Sequence, residues 1–270
     1  MEGEQQPGPP GTPRSAVRRE MVACPPGARV FRATRRVRLG DVTRHGRLRL
    51  DALACYLQDV ADDDAEAAGL PGAWVLRWVV LEVGRLPQFR DDVELVTFCS
   101  GTGPSWAERR TTLRAPEGGS PAAAVEAVAL WVLVDHAGRP ARLDPAFGAR
   151  FGDGARRRVG AARLRHPPPP ISAPAGPWPL RTADFDVLGH VNNALAWAAV
   201  EDAIASTAPE RGLAGAEIEY REPIEPGDEV ALVAQPGADR LDCWLVARPA
   251  GGAPHDGTPR VRVTARVCWA

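Results

Sequence analysis

The chain has 270 residues, room for one large domain or two ordinary ones, with 44% hydrophobic and 25% charged residues. These are globular proportions, and a net charge of −1 argues against a protein that coats nucleic acid. All 33 basic residues are arginine, a compositional bias that implies no mechanism. No apolar run is long enough to span a bilayer and no signal-peptide core opens the chain, so a soluble cytoplasmic protein without a membrane partner is expected. Five scattered cysteines form no Cys-x-x-Cys pair and no zinc-spaced cluster. Reduced thiols and no metal site are expected.

Residues 1–28 hold six prolines and four glycines and read as a disordered tail. Residues 29–163 form the first unit. Extended Arg35–Leu39 leads into a polar loop, Gly40–Arg47. Leu53, Leu57, Val60 and Ala61 then recur at helical spacing and predict a helix over 50–68. Asp62, Asp63 and Asp64 read as its solvated end. Strand patterns follow over 78–85, 92–100, 105–115 and 122–135. Gly101 and Gly103 fall between two strands, which predicts a hairpin turn and not a nucleotide loop. A linker follows at 164–179; seven of the fourteen residues from His166 to Pro179 are proline, predicting an exposed, semi-rigid spacer. The second unit, 180–270, repeats the order: an extended stretch at 179–182, a polar loop, a helix over 193–208, and strands at 217–221, 229–235, 242–248 and 260–269.

The repeat is visible residue by residue. An offset of 143 carries Arg38, Asp41, Gly46 and Asp59 onto Arg181, Asp184, Gly189 and Asp202. An offset of 137 carries Glu82 onto Glu219 and Asp91 onto Asp228. Two copies of one fold, packed as a pseudo-dimer, are expected.

The stretch Asp184–Asn193 concentrates chemistry: two carboxylates, a histidine and two amides just before the second helix. A helix N-terminus presents unpaired N–H groups and partial positive charge, suited to polarising a carbonyl. A nearby carboxylate can attack an acyl group or activate water. In the first copy Thr43 replaces Asp186 and Arg47 replaces His190, so only one copy holds the constellation. No Gly-x-Ser-x-Gly occurs, which argues against a serine hydrolase.

Asp186-Val187-Leu188-Gly189-His190-Val191-Asn192-Asn193 resembles the signature loop of hotdog-fold thioesterases. The tandem arrangement is similar to that of the acyl-acyl-carrier-protein (acyl-ACP) thioesterases, and Val37–Asp41, Gly46–Leu53 and Tyr56–Ala61 resemble the N-terminal hotdog of the bacterial members. The resemblance implies an α+β double hotdog, two helices wrapped by antiparallel sheets, with the active site in the C-terminal unit. It implies hydrolysis of acyl-ACP to free fatty acid and carrier protein in fatty acid biosynthesis, with no cofactor and with acyl carrier protein as partner. A homodimer is allowed. Its catalytic aspartate and histidine match Asp186 and His190, with Asn192 or Asn193 assisting. Leu188 stands where the plant members have asparagine, and Glu222, after Glu219-Tyr220-Arg221, is the candidate second carboxylate. The backbone of Gly189–Val191 would polarise the carbonyl, while Leu188, Asn193 and Trp197 would meet substrate. An acyl-CoA thioesterase, or a non-enzymatic acyl-thioester binder, are the alternatives.

Overall fold

The computed structural model of the chain describes residues 20–116, 124–160, 163–249 and 259–270. The expected tail up to residue 19, and the turns expected around 117–119 and 250–258, lie outside them. The first half runs β1 (Val30–Arg36), α1 (Leu50–Ala67), β2 (Ala73–Arg85), β3 (Asp92–Thr102), β4 (Trp106–Arg114), β5 (Ala124–Val134) and a short α2 (Phe147–Phe151). The second runs β6 (Ala175–Pro177), α3 (Ala196–Thr207), β7 (Leu213–Tyr220), β8 (Glu229–Pro236), β9 (Arg240–Arg248) and β10 (Arg260–Trp269).

All ten strands form one antiparallel sheet in the order β1-β3-β4-β5-β2-β7-β10-β9-β8-β6. Renumbering β1–β5 as β6–β10 turns the first half of that order into the second, read inward from either edge. The halves meet where β2 pairs with β7, with Val80 opposite Glu217. Those two residues are also equivalents under the offset of 137, so the local two-fold axis passes through their pair.

Strand alternation decides which face each helix covers. Ala216, Ile218 and Tyr220 of β7 and Leu76, Val79 and Leu81 of β2 join the core beneath the helices. Leu50, Leu53, Tyr56 and Val60 form the buried stripe of α1; Ala196, Ala199, Val200, Ala203 and Ile204 form that of α3. The small side chains of α3 let the two helices pack against each other. Helix α1 stops at Gly69, whose φ of 59° suits glycine, with Leu70 N–H closing back on Ala65 O at 2.9 Å.

Two expectations fail here. Asp64 is not solvated: it is fully buried and accepts Arg29 Nε and Arg109 Nη1, both at 2.8 Å. Those arginines come from segments 35 and 45 residues away, beyond the reach of a local reading. The proline-rich stretch is not wholly an exposed spacer either. Its first residues strap the outer face of the second half-sheet. Arg165 and His166 N–H donate to the Glu219 carboxylate at 2.6 and 3.1 Å, and Trp244 Nε1 donates to Pro167 O at 2.8 Å. Arg221 Nη2 donates to His166 O at 2.6 Å. Further on, Ala175–Pro177 forms the edge strand β6 against β8. Proline is tolerated there because one side of an edge strand needs no donors. Near the other end, Met21 packs over Trp78, Val128 and Leu130, so that patch of the outer face is covered too.

Glu219 is fully buried and holds the strap to the seam. Glu219→Ala would leave two backbone N–H groups and a guanidinium without their carboxylate. A loss of about 3–5 kcal/mol is expected, as for breaking a buried ion pair. Urea unfolding measures it, and a loss below about 1 kcal/mol would show that the strap is held by other contacts.

Candidate functional site

The loop before α3 is built by its own hydrogen bonds. Asp186 N–H donates to His190 O at 2.9 Å, and Gly189 N–H closes on Asp186 O at 3.0 Å. Asp186 Oδ1 accepts Leu188 N–H at 2.9 Å, an Asx turn. Gly189 takes φ 81°, a left-handed turn position that glycine adopts without strain. Asp184 is buried and accepts Arg181 N–H at 2.8 Å. Val191 N–H donates to Ile224 O at 3.1 Å and docks the loop on the turn after β7.

The first copy repeats this pattern bond for bond. Thr43 N–H donates to Arg47 O, Gly46 N–H to Thr43 O, and Leu48 N–H to Pro87 O. Thr43 Oγ1 accepts His45 N–H as Asp186 accepts Leu188 N–H, and Gly46 also has φ 81°. Turn-building therefore accounts for the glycine and for one carboxylate oxygen of Asp186. It does not account for the second oxygen, for His190, or for what stands at the helix N-terminus.

The expected residues divide. Asp186 and His190 share the loop, partly exposed. Asn192 caps the helix, its Oδ1 accepting Ala194 N–H at 2.9 Å. Asn193 begins the first turn, and its carbonyl accepts the Tyr220 hydroxyl at 2.9 Å. Burial pushes that phenol well above its usual range. Trp197 is buried one turn later, facing an apolar cavity. Leu188 does not pack beneath the loop: it is 71% exposed. The N–H groups of Gly189 and Val191 are already bonded to carbonyls, so they cannot polarise a substrate. Among the described residues, His190 N–H and Asn193 N–H are two of the loop's donors that find no acceptor.

Glu222 does not join the site. It pairs with Arg262 of β10, and Arg260 lies at 4.0 Å. The carboxylate beside the histidine is Glu225, with Oε1 at 3.4 Å from His190 Nε2. The repeat contains the signal that finds it. The offset of 137 carries Gln88 onto Glu225 and Arg85 onto Glu222, and Gln88 bridges Arg47 in the first copy as the His190 equivalent.

The cavity lies between α1 and the helix-facing side of the first half-sheet. Leu57, Gln58, Leu76, Val79, Ala127 and Trp131 line it, together with Ala194, Trp197 and Tyr220 of the second half. Thiol chemistry has no support at this site. All five cysteines are held above the usual thiol range chiefly by burial, Cys99 to about 11 and Cys243 to about 12. Among the described residues, His166, Glu217 and Glu219 have metal-ligand composition. They lie on the outer face under the strap, where Glu219 already accepts the strap's N–H groups.

Comparison with known proteins agrees with this architecture. Residues 28–147 match the acyl-ACP thioesterase N-terminal domain, and residues 174–250 match its C-terminal domain. An uncharacterized protein of Mycobacterium tuberculosis is 29% identical over 224 residues, 78% of this chain and 85% of its own length. A protein of Lactobacillus plantarum named as an oleoyl thioesterase superposes with TM-score 0.74 at 20% identity, covering 90% of this chain and 96% of its own. The 12:0-ACP thioesterase of Umbellularia californica gives 0.72 at 18% identity, covering 89% and 97%. The solved structures show the shared fold, and the matched domains span both halves in order. The chain is a double-hotdog thioester hydrolase and belongs to the acyl-ACP thioesterase family.

Proposed function

We propose that hydrolysis of the acyl-ACP thioester takes place at the C-terminal loop, with Asp186 as general base. One observation carries this reading. The two loops share the turn bonds described above, yet only the second pairs a carboxylate with a histidine before a helix whose first N–H, that of Asn193, finds no acceptor among the described residues. In the first copy Glu201 fills that place, its Oε1 accepting Leu50 N–H at 2.7 Å, and Arg47, at the histidine's position, is held by both Glu201 oxygens at 2.9 and 2.8 Å.

In this reading Asp186 Oδ2 takes a proton from water as the water oxygen bonds to the acyl carbon. The carbonyl π pair moves onto oxygen, which the helix N-terminus stabilises. Collapse breaks the carbon–sulfur bond, and the leaving pantetheine thiolate recovers the proton from Asp186. His190, steadied by Glu225, orients the water or the carboxylate. The products are a free fatty acid and the carrier protein, which suits a cytoplasmic role in fatty acid synthesis. The acyl chain would enter the cavity under α1. That cavity has a volume of about 30 Å³, room for about one water, so Trp131, Leu57 or Trp197 must turn aside. The exposure of Leu188 weighs against a degraded, non-enzymatic site, because its side chain lies outside the chemistry.

Free thiol release from a saturated even-chain acyl-ACP series, octanoyl to stearoyl, with the matching acyl-CoAs alongside, is the direct assay. Asp186→Asn is expected to lower kcat at least about a hundredfold, as for loss of a general base. Thr43→Ala, at the equivalent position of the first copy, should leave turnover within about threefold once stability is matched. Equal losses would move the site elsewhere. Attack by Asp186 itself would instead place ¹⁸O from solvent water in its carboxylate after turnover.

Glu225→Gln should lower kcat about tenfold or more, within the range of losing an acid–base helper. Glu222→Gln, which only loosens an ion pair with Arg262, should leave kcat unchanged within about twofold, as for a partly exposed pair. The reverse order would restore Glu222 as the second carboxylate.

A further inference from the structure

We infer that Gln58, on the helix of the N-terminal half, works in the C-terminal site by donating a hydrogen bond to the thioester carbonyl oxygen at the N-terminus of α3. The inference rests on the reading that Asp186 and its loop hydrolyse the thioester, and it adds a donor supplied by the opposite domain.

It comes from the internal symmetry. The offset of 143 that superposes the loops carries Leu50 onto Asn193 and Gln58 onto Glu201. The first copy shows what that helix position does. Glu201 reaches from α3 to the first turn of α1, where its Oε1 accepts Leu50 N–H at 2.7 Å. Both its oxygens also hold the Arg47 guanidinium. An oxygen bearing negative charge thus sits on the first N–H of a helix, a favourable place for an anion. This is the place, in the silent copy, that a developing oxyanion would take in the active one.

The two-fold axis turns this contact around. It brings Gln58 of α1 to the first turn of α3, where Asn193 N–H is the counterpart of Leu50 N–H. The observed cavity agrees, since Gln58 lines it together with Ala194 and Trp197. No hydrogen bond of the Gln58 carboxamide, and none of Asn193 N–H, is found among the described residues.

At this helix position the two copies differ by one chemical group, carboxylate against carboxamide, and the difference has the right sign. A carboxylate is an acceptor only; it occupies the helix N–H and repels a second negative oxygen. An amide offers two N–H donors and no charge. A carbonyl oxygen between Asn193 N–H and Gln58 Nε2–H would receive both, and both bonds strengthen as negative charge develops on that oxygen.

The test uses the full chain and the best acyl-ACP of the series. At pH 8, Gln58→Glu should lower kcat about a hundredfold or more with KM within about threefold, the scale of losing one oxyanion donor and gaining a repelling charge. As the ratio to wild type at each pH, so that the pH dependence common to both enzymes cancels, activity should recover at least about tenfold towards pH 5, where the introduced carboxyl takes up a proton and donates again. Gln58→Met, similar in shape but without a donor, should lose kcat about tenfold or more with no pH recovery. Undiminished kcat in Gln58→Met, or a Gln58→Glu loss whose ratio stays flat with pH, overturns the inference. Asp186→Asn separates the two claims: if it stays active, the site reading fails whatever Gln58 does.

Discussion

The pairing of β2 with β7 is the constraint on which the molecule depends. Each is the edge strand of its half-sheet at the seam, and would otherwise present a row of unpaired N–H and C=O groups. Joining them makes one ten-stranded sheet and leaves only β1 and β6 as edges. One edge carries arginines and the other is three residues long and ends in proline, devices that discourage further strand addition. Because the register sets Val80 against Glu217, the helices fall on one side of the sheet, in contact across the same axis. Each helix can then place a side chain at the other's N-terminus.

That arrangement gives two equivalent positions for an anion, and the chain treats them differently. At one, Glu201 and Arg47 fill the position permanently with a bonded ion pair. The pair satisfies Leu50 N–H and the guanidinium together. At the other, the groups stand apart: Asp186 on the loop, His190 beside Glu225, and the helix N–H open. In the proposed reading, function at one position and packing at the other are two uses of one geometry.

Much of this was legible in the sequence. Both helices end within a residue of their expected C-terminal bounds, α1 at the turn that Gly69 makes, while α3 starts three residues later than expected, after a 3-10 turn over Asn193–Leu195. The strands are marked by alternation, and β5 and β10 by their valine and alanine content. The repeat was legible because Asp41/Asp184 and Gly46/Gly189 are structural in both copies: a capping carboxylate and a left-handed turn are needed wherever this loop is built. Contacts between distant segments were not legible. Asp64 among three aspartates gives no local sign that two arginines from distant segments will pair with it in the interior. Glu225 was passed over for Glu222 because the strand was counted forward from Tyr220, whereas the offset of the repeat counts it from Gln88. The prolines of the strap hid an edge strand, because proline excludes a central strand and says nothing against an outer one.

The Arg47–Glu201 pair has a consequence for how such a protein can be encoded. In an assembly of two identical chains, every substitution is written twice. A glutamate that reaches across to close one helix N-terminus closes both, and an arginine that holds it there does so twice. Only a single polypeptide, in which the two loops are separate positions, can keep one closed and the other open. The proline strap that joins the halves is therefore more than a tether. It converts one symmetric choice into two independent ones, and the asymmetry of the site is possible only because of it.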